Sequence, residues 1–257
     1  MENPLSMKNI KKKFHLNITT YFFFLISFLC GYFKPVLIIF FIIFCHECGH
    51  ILMIKFFHYA FLRVDFYPFG GITKIDKPIN SSINQEIIIA LAGVIVQIIL
   101  QIIFFFFYHE SNIYMMFSQY NFLLLCFNLL PIIPLDGSII IHALLEKYFS
   151  YEKAYKIYEM ISMFCLSLFL FFNIYLHFHN YFICIVLFWS FVLLKKQKPY
   201  LLKRFYLERY LYDFPYKTIK NHSILDISLL KKDTRHYFYD GEKYYSEKRI
   251  LSKIFQE

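Results

Sequence analysis

A short segment of the chain, 44–50, brings together side chains of the types that zinc enzymes use. It contains His46, Glu47 and His50 in the order His-Glu-x-x-His. On an α-helix, residues four apart lie one turn apart on the same face, so both imidazoles can reach one metal ion. Glu47 lies about 100° round the helix from His46, where a carboxylate can take a proton from a water molecule beside the metal. The spacing predicts a catalytic metal site, with a buried polar cluster between helices as the alternative.

Two cysteines in the same segment, Cys45 and Cys48, offer a second interpretation as a thiol metal or redox site. At 100° per residue they point away from the pair of imidazoles. We therefore expect them to be packing residues, and reduced thiols are the default for a chain without an evenly spaced set of exposed cysteines.

A second polar segment, Asn128–Gly137, offers the ligand that two imidazoles leave missing from a catalytic zinc site. Its carboxylate is Asp136, which we predict to be the third metal ligand. Pro131 and Pro134 interrupt the helix and free backbone carbonyls, which a membrane protein tolerates where they line a cavity. Asn128 is expected to hydrogen-bond this backbone or an extended peptide. The alternative is a helix end with a solvated aspartate.

The composition indicates that these residues lie in an α-helical integral membrane protein. The chain is 58% apolar and 18% charged, whereas globular chains are about 45–50% apolar and about 25% charged. Several apolar stretches approach the ~20 residues that a helix needs to cross a bilayer. The six predicted spans are 18–33, 36–57, 87–108, 113–130, 157–178 and 181–194. The His-Glu-x-x-His segment then lies in the second span, and Asp136 follows the fourth at the same leaflet.

The distribution of basic residues predicts the topology. Of the 27 lysines and arginines, all but Lys34 fall in the segments on one side of the predicted spans. The positive-inside rule makes that side cytoplasmic and places both termini there, in a multi-pass protein of the cell membrane. The net charge of +9 is thereby explained as a topology signal, and we expect no nucleic-acid partner. We predict a membrane domain over 1–196 and a cytoplasmic tail over 197–257.

Taken together, the two polar segments resemble the site-2 protease family of intramembrane zinc metalloproteases. The match comprises His46-Glu47-x-x-His50 and Asn128-x-x-Pro131-x-x-Pro134-Leu-Asp136-Gly137. The resemblance implies one zinc ion held by His46, His50 and Asp136, with Glu47 as the catalytic acid and base. Asn128 and Pro134 are then expected to support the substrate.

Two further segments carry the resemblance. Pro68–Gly71 is similar to the family's membrane-dipping β-hairpin, so we expect Arg63–Thr73 to form a re-entrant hairpin that pairs with an extended substrate. Gly70 and Gly71 would permit close backbone approach, and Phe69 would plug the cavity before substrate arrives. Ala90–Gly93 is similar to the family's small-residue motif, with Gln97 at a position usually of the Asn type.

A short six-span chain with a cytoplasmic tail resembles the sporulation branch of the family, which clips the membrane-associated pro-sequence of a sigma factor. The stretches Tyr216–Leu230 and His236–Phe255 resemble the opening and the ending of a CBS domain, the latter with a helix capped by Ser246. Only about 60 residues follow Leu194, too few for a paired CBS module. We therefore expect a reduced α+β docking domain, and whether the tail binds a nucleotide stays open.

Other functions stay open at this point. The substrate is expected to be a membrane-associated peptide or protein, and an anti-sigma factor or a signal-peptide remnant are alternatives to a pro-sigma factor. A membrane ion or metal transporter using the His/Glu/Asp cluster is the alternative of another class, although we find no internal repeat of the kind that transporters show. Inhibitory membrane proteins and self-association are left open as partners.

Overall fold

Helices make up most of the computed structural model, which describes residues 14–67, 70–175, 181–224 and 226–255. In chain order, the elements are β1 (Phe14–Leu16), α1 (Ile18–Leu29), α2 (Phe33–Phe56), β2 (Ala60–Tyr67), β3 (Gly70–Asp76), α3 (Ile83–Tyr108), α4 (Asn112–Asn128), α5 (Asp136–Tyr148), α6 (Tyr151–Tyr175), α7 (Tyr181–Leu211), β4 (Thr218–His222), a 3-10 turn (Ile227–Leu229), β5 (Thr234–Tyr239), β6 (Tyr244–Ser246) and α8 (Glu247–Phe255).

Three helices of the described part are long and apolar enough to cross a membrane, namely α2, α3 and α6, with mean hydropathies of 2.2, 2.8 and 1.8. The three other predicted spans correspond to helices whose lengths differ from those of the spans. Helix α1 has 12 residues, or about 18 Å at 1.5 Å per residue, and α4 has 17. Helix α7 has 31 residues and continues past its apolar part through the predicted domain boundary at residue 196. Six spans therefore stay a prediction.

The chain divides into two compact units, Met1–Lys77 with Ile88–Asn128, and Pro78–Ile87 with Leu129–Glu257. The division into residues 1–196 and 197–257 is a different one and stays a prediction.

The first unit is built on helix α2, which carries the His-Glu-x-x-His segment. Pro35 lies in the first turn of the helix, where its missing N–H breaks no helical hydrogen bond. The helix ends before His58, which has a positive φ of 60°. One side of α2 packs Ile43 and Ile51 against two buried side chains of β2, Val64 and Phe66. The helix is thereby fixed to a sheet.

That sheet has three strands in the order β1-β2-β3. Strands β2 and β3 form the predicted hairpin, in which Tyr67 pairs with Gly70 and Phe66 with Gly71. Strand β1 runs parallel to β2 and was not predicted. Thr20, at the start of α1, donates to the backbone carbonyl of Phe66. The hairpin is confirmed as a local structure, while its entry into a membrane stays a prediction.

The second unit includes the C-terminal tail, whose small sheet has the order β4-β5-β6. Strands β5 and β6 are antiparallel and α8 follows, so the structure has the strand, turn and helix predicted for 236–255. Phe238 and Leu251 of this part share a core with Phe205 of α7 and Tyr151 of α6. The likeness to a CBS domain stays a prediction.

Arg209, near the end of α7, ties that helix to the tail. Its guanidinium is buried and donates to the carbonyls of Lys231 and Thr234 and to the carboxylate of Glu247, at 2.9, 2.6 and 2.7 Å. These three hydrogen bonds from the two terminal nitrogens, one of them to a carboxylate, offset part of the cost of burying the guanidinium. The last turns of α7 thus form part of the tail's interior.

A buried lysine joins distant segments of the same unit. Lys232, which is 3% exposed, contacts Glu86 of α3 at 3.2 Å and Glu146 of α5 at 2.8 Å. Burial alone would lower the pKa of the Lys232 ammonium, but the two carboxylates hold it above its ordinary value. Ser81 also donates to Glu86, at 2.7 Å. One cation therefore holds the ends of two helices against the tail.

Replacing Lys232 by Met is expected to destabilise this unit strongly, because two buried carboxylates lose their cation. Removal of one partner from a buried ion pair costs about 3–5 kcal/mol. The measurement is thermal unfolding in detergent, read by proteolysis of the tail. Lys217→Met is the matched control, because Lys217 and its partner Asp233 form an exposed pair, worth about 0–1 kcal/mol. Equal losses in the two variants would contradict the prediction.

Candidate active site

The three side chains of the His-Glu-x-x-His segment lie buried on helix α2. His46, Glu47 and His50 are 4%, 6% and 7% exposed. Ionisable groups in apolar surroundings are costly and need a partner. Each of the three has one in the first unit.

The two imidazoles face each other through their Nε2 atoms, which are 3.0 Å apart. Their other ring nitrogens contact helix α3. His46 Nδ1 lies 3.1 Å from Oε1 of Gln97, and His50 Nδ1 lies 2.7 Å from the backbone carbonyl of Ile89. With oxygen acceptors at both Nδ1 atoms, an imidazole that carries its proton on Nδ1 turns the lone pair of its Nε2 inward.

Small residues allow α3 to come this close to α2. A Cβ on Gly93 would lie 2.5 Å from the His46 ring, and a Cβ on Gly49 would lie 2.7 Å from the carbonyl oxygen of Ala92. Both distances are too short for any side chain. The small-residue motif at 90–93 therefore provides the space that the His46 imidazole occupies.

Glu47 is held by strand β3. The Thr73 hydroxyl donates to Glu47 Oε2 at 2.6 Å. A Cβ on Gly71 would lie 2.5 Å from Glu47 Cδ. Gly71 and Thr73 are two residues apart and hence on the same face of the strand. The hairpin and the carboxylate that we predict to be catalytic are in direct contact.

The distance between the two imidazoles suits a zinc ion that is bound through one nitrogen of each ring. Two nitrogens bound to one tetrahedral zinc at about 2.0–2.1 Å would be about 3.3 Å apart, close to the 3.0 Å found between the Nε2 atoms. Two lone pairs at this distance repel each other unless they share a cation. Second contacts at Nδ1 of the kind seen here orient imidazole ligands.

The third predicted ligand belongs to the second unit. Asp136 is the first residue of α5. A side chain on Gly137 would collide with the backbone carbonyl of Leu129, so the loop folds tightly there. The loop is further fixed by a hydrogen bond from the Ile133 N–H to the Ser162 hydroxyl, at 3.1 Å.

The predicted substrate-support residues and the two cysteines lie in several different elements. Asn128 is the last residue of α4 and is partly buried, and Pro134 is exposed in the loop before α5. Phe69 lies outside the described residues, so its role as a plug stays a prediction. Cys45 and Cys48 are free, partly buried thiols.

Comparison with known proteins identifies the family. Residues 35–112 and 108–172 match the family model described as peptidase family M50, and this match includes the histidine pair, Glu47 and Asp136. The chain belongs to peptidase family M50. The chain is also similar to stage IV sporulation protein FB of Bacillus subtilis, with 31% identity over 205 residues, 77% of this chain and 71% of the relative.

Two other similar proteins come from Methanocaldococcus jannaschii. A zinc metalloprotease of that organism is 32% identical over 116 residues, which cover 44% of this chain and 34% of the relative. The structure of a site-2 protease matches with a TM-score of 0.54 and 26% identity, over 69% of this chain and 87% of the other. The resemblance to site-2 proteases is thereby confirmed. This M50 chain is a membrane-embedded zinc metalloprotease, and the transporter alternative is wrong.

Two side chains that contact the site, those of Thr73 and Gln97, were not predicted to be site residues. Thr73 has no motif of its own, although the alternation of a strand places it on the same face as Gly71. Gln97 stands at a position where the resembled family usually has a residue of the Asn type. The structure shows that its side chain contacts His46. A polar residue in the middle of an apolar helix was the available signal for Gln97.

Gly71→Ala is expected to displace Glu47, because the new Cβ would lie where the carboxylate is. We expect kcat to fall about a hundredfold, as for a misplacement near 1 Å, while bound zinc is unchanged. Gly70→Ala is the neighbouring comparison, since a Cβ there meets no described atom within 4 Å. It can alter substrate approach and hence KM, but kcat should stay near that of the wild type. Equal kcat values for the two variants would contradict the contact.

Proposed function

We propose that this M50 peptidase is an intramembrane zinc metalloendopeptidase with a single zinc ion, held by His46, His50 and Asp136. The observation that carries the proposal is the pair of buried imidazoles on α2, with their Nε2 atoms 3.0 Å apart. Two histidines and one carboxylate form a catalytic zinc set that leaves one position open. Asp136 is favoured as the carboxylate because the family motif places it directly before Gly137.

Glu47 acts as general base and then as general acid. When bound, zinc supplies a Lewis acid that polarises the scissile carbonyl. Glu47 takes a proton from the attacking water and transfers it to the leaving amine. The Thr73 hydroxyl bond at Oε2 leaves Oε1 for this transfer and fixes the plane of the carboxylate.

The hairpin is proposed to bind the substrate as an added strand. A helical peptide hides its carbonyls, so the substrate must be extended before it can be cut. Strand β3 lies at one edge of its sheet, and edge strands pair with extended peptides. Because β3 also contacts Glu47 through Gly71 and Thr73, a peptide on this edge lies near the catalytic carboxylate. Asn128 and Pro134 are proposed as further supports.

The proposed substrate is a membrane-associated pro-sigma factor processed during sporulation. The support is the likeness to stage IV sporulation protein FB, which extends over 77% of this chain. An anti-sigma factor or a signal-peptide remnant are the other candidates, and inhibitory membrane proteins and self-association remain predictions. The basic residues support an enzyme of the cell membrane with both termini in the cytoplasm, and the tail from residue 197 is proposed as a docking domain.

Co-expression with candidate substrates tests this function. Wild-type protein should clip its substrate, whereas Glu47→Gln should abolish clipping while zinc stays bound, because the amide cannot accept the proton. Glu110→Gln is the matched control, since Glu110 lies in the turn between α3 and α4 and is exposed. Wild-type turnover by Glu47→Gln would overturn the assignment.

Asp136→Asn tests the ligand set independently of activity. We expect this variant to lose zinc during dialysis against a chelator that the wild type survives, because a neutral amide binds zinc poorly in place of a carboxylate. Asp76→Asn is the control, as Asp76 is exposed at the end of β3. Zinc retention by Asp136→Asn at the wild-type level would exclude Asp136 as a ligand.

A further inference from the structure

The amide of Gln97 lies behind the first histidine of the proposed zinc site. Gln97 is fully buried in the middle of α3, and its Oε1 lies 3.1 Å from Nδ1 of His46. His50 makes its corresponding contact with a backbone carbonyl. The Nδ1 contact of His46 is thus made by a side chain, which a substitution can change, and the Nδ1 contact of His50 by the backbone.

The orientation of this amide decides which nitrogen of His46 is free to bind metal. With Oε1 toward the ring, Nδ1 carries the proton and donates it, so Nε2 keeps its lone pair. With the NH2 group toward the ring, Nδ1 would have to accept, and the proton would move to Nε2. A neutral imidazole protonated at Nε2 cannot bind a metal through that atom. The observed orientation is the one compatible with zinc at Nε2.

This orientation carries a free-energy cost at the NH2 end of the Gln97 amide. Nε2 of Gln97 is buried and has no hydrogen-bond partner among the residues that the structure describes. A buried donor without a partner costs about 1–3 kcal/mol. A side chain needed for packing alone would be apolar at this position, since leucine has a similar volume and no such cost. The contact to His46 accounts for an amide here.

Neighbouring polar groups fix the part of α3 that carries Gln97. The Asn121 side chain of α4 donates to the Gln97 backbone carbonyl at 3.1 Å and to Oε1 of Gln101 at 3.0 Å. Gln101 in turn donates to the hydroxyls of Tyr114 and Ser118. The bond from Asn121 to the Gln97 carbonyl fixes the turn of α3 that carries Gln97, whereas the Gln101 bonds join the two helices one turn further along.

We propose that Gln97 is a positioning residue of the metal site, which holds His46 in its zinc-binding tautomer and orientation. The inference rests on the proposed zinc site. Gln97 acts through His46 and does not touch the metal or the substrate. Removal of its oxygen acceptor lowers zinc affinity, and a carboxylate in its place preserves it, as in carboxylate–histidine–zinc arrangements.

The test is the zinc dissociation constant of the purified full chain in detergent, measured by competition with a chromophoric chelator. Gln97→Leu should bind zinc about 10–100-fold more weakly than the wild type, the usual effect of losing such a contact. Gln97→Glu should bind zinc at least as tightly as the wild type. Should Gln97→Leu fail to fold, Gln97→Glu decides alone, and an affinity about tenfold below the wild type would overturn the proposal.

Gln101→Leu is the matched control. It makes the same chemical change one turn further along α3 and removes the contacts to Tyr114, Ser118 and Asn121. It leaves the His46 contact and the bond to the Gln97 carbonyl in place. Its zinc affinity should stay near that of the wild type. Wild-type affinity in Gln97→Leu, or an equal loss in Gln101→Leu, would overturn this inference alone. A wild-type chain that binds no zinc would overturn the proposed metal site itself.

Discussion

Two imidazole nitrogens facing each other at 3.0 Å inside the protein are the constraint on which the active site depends. With oxygen acceptors at both Nδ1 atoms, His46 and His50 present two lone pairs to one small volume. A zinc ion bound through both Nε2 atoms would use these two lone pairs. Much of the first unit follows from this arrangement, since α3 must supply the two acceptors and must approach α2 closely enough for Gly93 to face the His46 ring.

In our proposal the hairpin meets the second requirement of a protease, the alignment of the catalytic carboxylate with its substrate. A general base must lie within hydrogen-bond reach of the reacting water, and Glu47 is fixed by a strand that also has an edge available to an extended peptide. Gly71 and Thr73 link these two tasks in one strand. In the second unit, Lys232 and Arg209 make the tail part of a common interior with α5 and α7, so the tail is more than an appended segment.

The sequence was most informative where chemistry imposes a fixed spacing. His-Glu-x-x-His predicted a shared helix face, and the resemblance of Pro68–Gly71 to a family hairpin led us to expect the pairing of residues 63–73. Strand β1 could not be predicted, because three residues pair with β2 through backbone atoms that carry no side-chain signal. Helix lengths were also uncertain: α1 has 12 residues and α7 has 31, since a hydropathy pattern marks apolar surface but not where hydrogen bonding ends.

The most direct test of the central claim is zinc K-edge X-ray absorption of the purified protein. The account predicts one zinc per chain with imidazole nitrogen and carboxylate oxygen ligands at about 2.0–2.2 Å, and loss of the imidazole signal when both histidines are replaced. Sulfur scattering at about 2.3 Å would assign the metal to Cys45 and Cys48 instead. Such a result would contradict a site built on His46 and His50.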